Sequence, residues 1–184
     1  TGDGVVELKK HLVAAARSVL LRSRAGNFRL AIDRAFTITG SGLVVTGTVY
    51  AGQAAVGDRL VLTPQGIEVR VRAIHAQNKD SKSGLAGERC ALNIAGPNLT
   101  KELVSRGDWI VGEAAHAPSD RFDARVRILP SEDRPLRHWT PVHLHLGAED
   151  ISARVATLED RTIPVGETGL VQIVLDKPIG ALQG

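Results

Sequence analysis

Along most of the chain apolar and polar residues alternate one for one, the period of a strand with one face buried. The segments FRLAIDRAFTI (28–38), LVVTGTV (43–49), DRLVLTP (58–64), IEVRVRAIHA (67–76), RCALNIA (89–95) and DWIVG (108–112) carry this pattern. Gly, Pro and Asn/Asp turn signals separate them. After His116-Ala117-Pro118-Ser119 a second set follows: FDARVRIL (122–129), PVHLHLG (141–147), ISARVATLE (151–159) and GLVQIVLDKP (169–178). Only the start differs. There Val5, Leu8, Leu12, Ala15/Ala16 and Val19 recur at helical spacing behind Asp3, a plausible N-cap. The pattern predicts an all-β chain of two consecutive small barrels, 25–114 and 115–184, after one helix and a linker in 1–24 that extends to RSRAG at 22–26. One amphipathic helix cannot bury its stripe alone, so it is expected to close a domain that lies outside this sequence. The second barrel is expected to lack its last strands.

One position breaks the alternation. Phe28, Leu30, Ile32, Phe36 and Ile38 share one parity, and Arg34 falls on it too, next to Asp33 on the opposite face. Arg89 sits in AGERCALNIAG (86–96) on the parity of Ala91 and Asn93, opposite Cys90 and Leu92. Either Arg34 is displaced by a β-bulge or snorkels to a rim, leaving three ordinary surface charges, or these residues are placed to meet an anion.

Composition narrows the field without deciding it. The 184 residues are 43 % hydrophobic and 23 % charged, with a net charge of +3. Residues 1–24 carry net +3, 25–114 net +2 and 115–184 net −2, so no segment is a basic arm and phosphate contacts must come from local patches. No apolar run approaches the roughly 18–20 residues needed to span a bilayer. The single cysteine, Cys90, excludes an internal disulfide and suits a reducing compartment, with the cytoplasm as the expected location.

The remaining motifs read plainly. Gly40-Ser41-Gly42 leads into a strand rather than a helix, so it predicts a turn needing φ > 0 and not a phosphate loop. Asn78-Lys79-Asp80 reads as a loop and Arg106-Gly107-Asp108 as a turn feeding a strand. Cys90 alternates with Leu92 and Ile94 as a packed thiol. His143 and His145 share one strand face, with no cysteine or acid at ligand spacing, which favours structural or surface histidines over a metal site and leaves a phosphate or ribose contact as second choice. No triad or carboxylate pair assembles, so the chain itself reads as non-catalytic.

FRLAIDRAFTITGSGLVVTGTV, AAVGDRL, RVRAIHAQN and AGERCALNIAG resemble the second domain of the EF-Tu class of translational GTPases. IDRAF, RAIHAQN and ALNIAG narrow the resemblance to the bacterial selenocysteine-specific elongation factors, the SelB family. TGDGVVELKKHL is similar to the end of their G domain, and VHLHLGAEDISARVATLED to their third domain. The resemblance implies two barrels that carry selenocysteinyl-tRNA, with Asp33, Arg34 and Arg89 at the positions of the selenocysteine pocket. It also implies that GTP and Mg belong to a G domain absent here, so the longer parent is a GTPase while this piece needs no cofactor. Ribosome binding is then a property of the full-length protein, the messenger RNA hairpin is read by C-terminal domains also absent, and no membrane is involved. The alternatives are a general aminoacyl-tRNA or initiator-tRNA carrier of the same class, and a β-barrel interaction module without tRNA binding.

Overall fold

The computed structural model describes residues 2–18, 25–159 and 162–180; the rest of the predicted linker, 22–24, and the helix beyond Ser18 lie outside them. Helix α1 spans Val5–Ser18. Gly4, at φ +78°, accepts the first helical hydrogen bond from Leu8 N, so Gly4 rather than Asp3 stands at the cap. Val5, Leu8 and Leu12 remain 58–61 % exposed, so the helix adds nothing to either core.

Nine strands follow: β1 (Arg29–Ile38), β2 (Gly42–Ala51), β3 (Gln53–Ala55), β4 (Arg59–Thr63), β5 (Ile67–Ala76), β6 (Lys79–Ser81), β7 (Ser83–Leu85), β8 (Arg89–Ala95) and β9 (Trp109–Val111). Six of them close on themselves in the order β4-β9-β1-β2-β8-β5, with β4 pairing back onto β5. Closure removes the free edges an open sheet would leave. β6 extends β5, and β3 pairs with β7 as a separate ribbon. Alternate residues of these strands fill the barrel, among them Leu30, Ile32, Val45, Leu62, Ile74, Leu92 and Ile110.

Beyond it lie β10 (Ser119–Arg127), β11 (Leu136–Arg137), β12 (Thr140–Leu146), β13 (Glu149–Thr157), β14 (Thr162–Ile163) and β15 (Thr168–Ile179). Four form an antiparallel sheet in the order β10-β15-β13-β12, and β11 pairs with β14. Ile151, Ala153 and Val155 of β13 and Val171, Ile173 and Leu175 of β15 build its core, each set spaced by two as half-buried strands require. Every long strand expected from alternation is present. The short β3, β6, β7, β11 and β14 are additions, each too brief to show a period.

The two cores meet at a seam. Leu146 packs on Trp109, Val111, Val61, Ala31 and Ala115. Glu149, its side chain only 10 % exposed, lies against Gly107 and pairs with Lys177 at 2.9 Å. Asp108, buried beside them, accepts hydrogen bonds from Ser105 N (2.7 Å) and Gln65 Nε2 (2.8 Å). Burial pushes the Asp108 carboxyl above its ordinary range, and the Glu149 charge adds to the push.

Candidate functional site

Strand β1 changes face halfway along. Ile32 pairs with Gly47 and Arg34 with Thr46, which leaves Asp33 as the extra residue of a β-bulge. Beyond it the parity inverts. Ala35 packs toward the core, while Phe36 and Ile38 are 40 % and 45 % exposed. The expectation that Phe36 and Ile38 share the inward face of Leu30 and Ile32 is therefore corrected, and of the readings offered for Arg34 the β-bulge is the one observed. The bulge turns all three outward. Gly47 permits this, because a Cβ there would overlap the Ala31 carbonyl oxygen.

The bulge also presents the Asp33 carboxylate to two neighbouring strands. Arg89, on β8, donates to it through Nε (3.1 Å to Oδ2) and Nη2 (2.8 Å to Oδ1). Thr46, on β2, donates its hydroxyl to Oδ1 at 2.7 Å, and its oxygen accepts from Arg89 Nη2 at 3.2 Å. Burial alone would raise the Asp33 pKa. The Thr46 hydrogen bond, the Arg89 pair and the Arg34 charge outweigh it and hold the carboxyl below its ordinary range. Asp33 is thus an anion at neutral pH.

This arrangement uses up one edge of Arg89. Its Nε and Nη2 are engaged, whereas Nη1 has no hydrogen-bond partner among the described residues and the side chain is 56 % exposed. The Arg34 side chain is exposed and has no hydrogen bond or ion pair among the described residues. Register puts Arg34, Thr46, Ala91 and His75 in one cross-strand row on the outer face, with His75 held by Asp80 at 3.1 Å. Chemically, the patch offers unspent guanidinium donors above a neutralised ion pair, which suits a small anion.

Of the residues singled out in the sequence, Asp33 and Arg89 touch and Arg34 flanks them. His143 and His145 lie apart, on β12 of the second sheet. Their acid, which spacing along the strand does not reveal, is Asp150 across the hairpin: His143 Nδ1 lies 3.0 Å and His145 Nδ1 3.8 Å from its Oδ1. All three are well exposed, and among the described residues no group of three or more such side chains could hold a metal ion. Cys90 is buried, and desolvation pushes its thiol up to about 11, which makes it inert. Gly40 and Gly42 take φ of +82° and +90° in the β1–β2 turn. Thr46 is the member that sequence reasoning missed. Its signal was a hydroxyl inside the apolar run LVVTGTV.

Comparison with known proteins agrees with this architecture. Residues 42–111 match the family model described as Elongation factor Tu domain 2, and residues 123–184 the one described as Selenocysteine-specific elongation factor, beta-barrel domain. The chain is 42 % identical over 97 % of its length to a selenocysteine-specific elongation factor of Escherichia coli, and 37 % identical over 97 % to one of Haemophilus influenzae. It spans 26 % and 28 % of those two proteins. The crystal structure of the translation elongation factor SelB from Methanococcus maripaludis in its apo form superposes with a TM-score of 0.79 at 24 % identity, over 96 % of this chain and 41 % of that one. That likeness extends the fold across both β units. By its two domain matches and its identity to these proteins over nearly its whole length, the chain carries an EF-Tu domain 2 followed by a beta-barrel domain of the selenocysteine-specific elongation factor type.

Proposed function

We propose that this chain supplies the tRNA-carrying barrels of a selenocysteine-specific translation factor, with 25–114 as domain II, 115–184 as domain III and 1–24 as the end of the G domain. In this reading the outer patch at Asp33, Arg34 and Arg89 receives the aminoacyl end of selenocysteinyl-tRNA. The observation that carries it is the bulge, which sets Arg34, without a hydrogen bond or ion pair among the described residues, beside the Asp33–Thr46–Arg89 cluster.

The chemistry is discrimination of an anion from a neutral near-isostere. A selenol is more acidic than a thiol, whose reference pKa is about 8.5, so at neutral pH it is largely ionised. The seryl precursor on the same tRNA presents an uncharged hydroxyl of similar size, and shape alone separates such pairs by roughly a hundredfold at best. A charge-assisted hydrogen bond contributes about 1.5–3 kcal/mol, on the order of ten- to 150-fold. Arg34 and the free Nη1 of Arg89 would donate to the selenolate. Asp33 would orient Arg89 and cancel its charge, leaving Arg34 as the uncompensated cation. A bound serine leaves both arginines without their anion, so the same groups select against it.

The chain takes no part in GTP chemistry in this account. Its glycine turn at Gly40–Gly42 leads into strand β2, and GTP and Mg are assigned to the G domain of the full-length protein, with no catalytic step assigned here. The ribosome and the messenger RNA hairpin engage the full-length protein in the cytoplasm. His143 and His145 are offered to the tRNA, and Asp150 beside them favours a ribose hydroxyl over a phosphate. The test is made in the full-length protein with its G domain. Arg34→Ala and Arg89→Ala are each expected to lower the preference for selenocysteinyl- over seryl-tRNA by about tenfold or more, measured as a ratio of dissociation constants. An unchanged ratio in both variants would reject the pocket.

A further inference from the structure

We infer that Thr46 is a positioning residue for selenolate recognition: its hydroxyl locks the Asp33–Arg89 pair so that Arg89 presents Nη1 outward beside Arg34. This rests on the pocket reading above and names the device that gives the pocket its geometry.

A hydroxyl has one proton to give and lone pairs to receive. Thr46 spends both within the cluster, donating to Asp33 Oδ1 at 2.7 Å and accepting from Arg89 Nη2 at 3.2 Å. The residue is 8 % exposed, so neither bond is readily replaced by water. Without the hydroxyl, Asp33 and Arg89 would still attract one another. An exposed arginine–carboxylate pair, however, samples several geometries and is individually weak. Several of those geometries turn Nη1 toward Asp33, where it no longer faces a ligand.

The second line is placement. In the β1–β2 register Thr46 lies directly opposite Arg34, and in the β2–β8 register it lies opposite Ala91. Cross-strand partners on one face are close neighbours, so Thr46 stands beside Arg34 on β1, while its oxygen meets Arg89 Nη2 at 3.2 Å on the β8 side. The bulge at Asp33 makes Arg34 the partner of Thr46, since an unbulged strand would set Asp33 there instead. Thr46 therefore stands at the point where strand geometry and ligand chemistry meet. β-branching fixes its χ1 and adds rigidity.

The experiment compares Thr46→Val, Thr46→Ser and Thr46→Ala with wild type in the full-length protein, alongside Arg34→Ala and Arg89→Ala. Affinities for selenocysteinyl- and seryl-tRNA and melting temperatures are read for each. Thr46→Val, which keeps the side-chain shape without the hydroxyl, is expected to lower the selenocysteinyl/seryl ratio by about tenfold, chiefly through weaker selenocysteinyl binding. Thr46→Ala is expected to do the same, and Thr46→Ser to keep the wild-type ratio. In an Arg89→Ala background, Thr46→Val should produce no further loss, because its effect passes through Arg89. If the arginine variants change the ratio and Thr46→Val and Thr46→Ala do not, the Thr46 assignment is overturned and the pocket stands. If Thr46→Ser loses as much as Thr46→Val, shape rather than the hydroxyl is responsible, and the assignment is again overturned. If neither arginine variant changes the ratio, the pocket reading fails and takes this inference with it.

Discussion

The clusters around Asp33 and Asp150 each join one carboxylate to basic side chains on a strand face, and they are assembled differently. Asp150 meets His143 seven residues away across a hairpin, and all three of its members are at least 59 % exposed. Asp33 meets Thr46 at a separation of 13 residues and Arg89 at 56, drawing on three strands of a closed barrel, and only 32 % of its side chain is exposed. Local pairs in full solvent are screened and mobile, whereas a pair fixed by barrel closure keeps its geometry. The difference explains why the first barrel holds a cluster of fixed geometry and the second sheet a solvated one.

The sharpest way to break the contrast is Gly47→Ala. The added Cβ would collide with the Ala31 carbonyl, so β1 must shift or the bulge must open. Overpacking of backbone against backbone is expected to cost about 3 kcal/mol or more, read as loss of cooperative unfolding or a sharply lowered midpoint in urea. Next, Asp33→Ala should lower stability by roughly 1 kcal/mol, since it strands Thr46 and Arg89. Asp150→Ala should leave the melting temperature where it is, and equal losses in the two variants would remove the distinction drawn above.

Acid sharpens the same point. Asp33 is held below its reference value of 3.8, so its contribution is present above that pH and is lost as pH falls through the lower folded-state value. Asp108 at the seam runs the other way. Its pKa is raised from 3.8, so the folded state is penalised as pH rises through 3.8 toward the folded-state value. Asp108→Asn, which keeps an acceptor for Ser105 N and Gln65 Nε2, should raise the melting temperature at neutral pH by about 1–3 °C. Below pH 3.8 that gain should vanish.

How much of this was legible in the chain depended on range. Alternation revealed every long strand, because each carries enough residues to show a period. It hid β3, β6, β7, β11 and β14, which have two or three residues each. Parity placed Arg89 and Cys90 on their observed faces. Parity failed at Phe36 and Ile38, because one extra residue at Asp33 inverts every position after it, and the mark the bulge left was Arg34 standing on the apolar parity. Parity and its break singled out Asp33, Arg34 and Arg89, and the family likeness supplied the expectation that the three form one site. Thr46 escaped, because a buried threonine in an apolar strand looks like packing until its partners are seen. Asp150 escaped for the same reason: strand pairing, not sequence spacing, brings it to the histidines.

The most direct test of anion recognition is the selenocysteinyl/seryl affinity ratio of the full-length protein, followed from about pH 8 down to about pH 4.5. Asp33 stays ionised over that range, and a His75→Gln variant run alongside isolates the charge change of the ligand from that of the histidine in the same row. The account predicts that the ratio falls as the selenol takes up its proton, that seryl affinity stays level, and that Arg34→Ala flattens the curve. A ratio that holds constant with pH in the wild-type protein would contradict it.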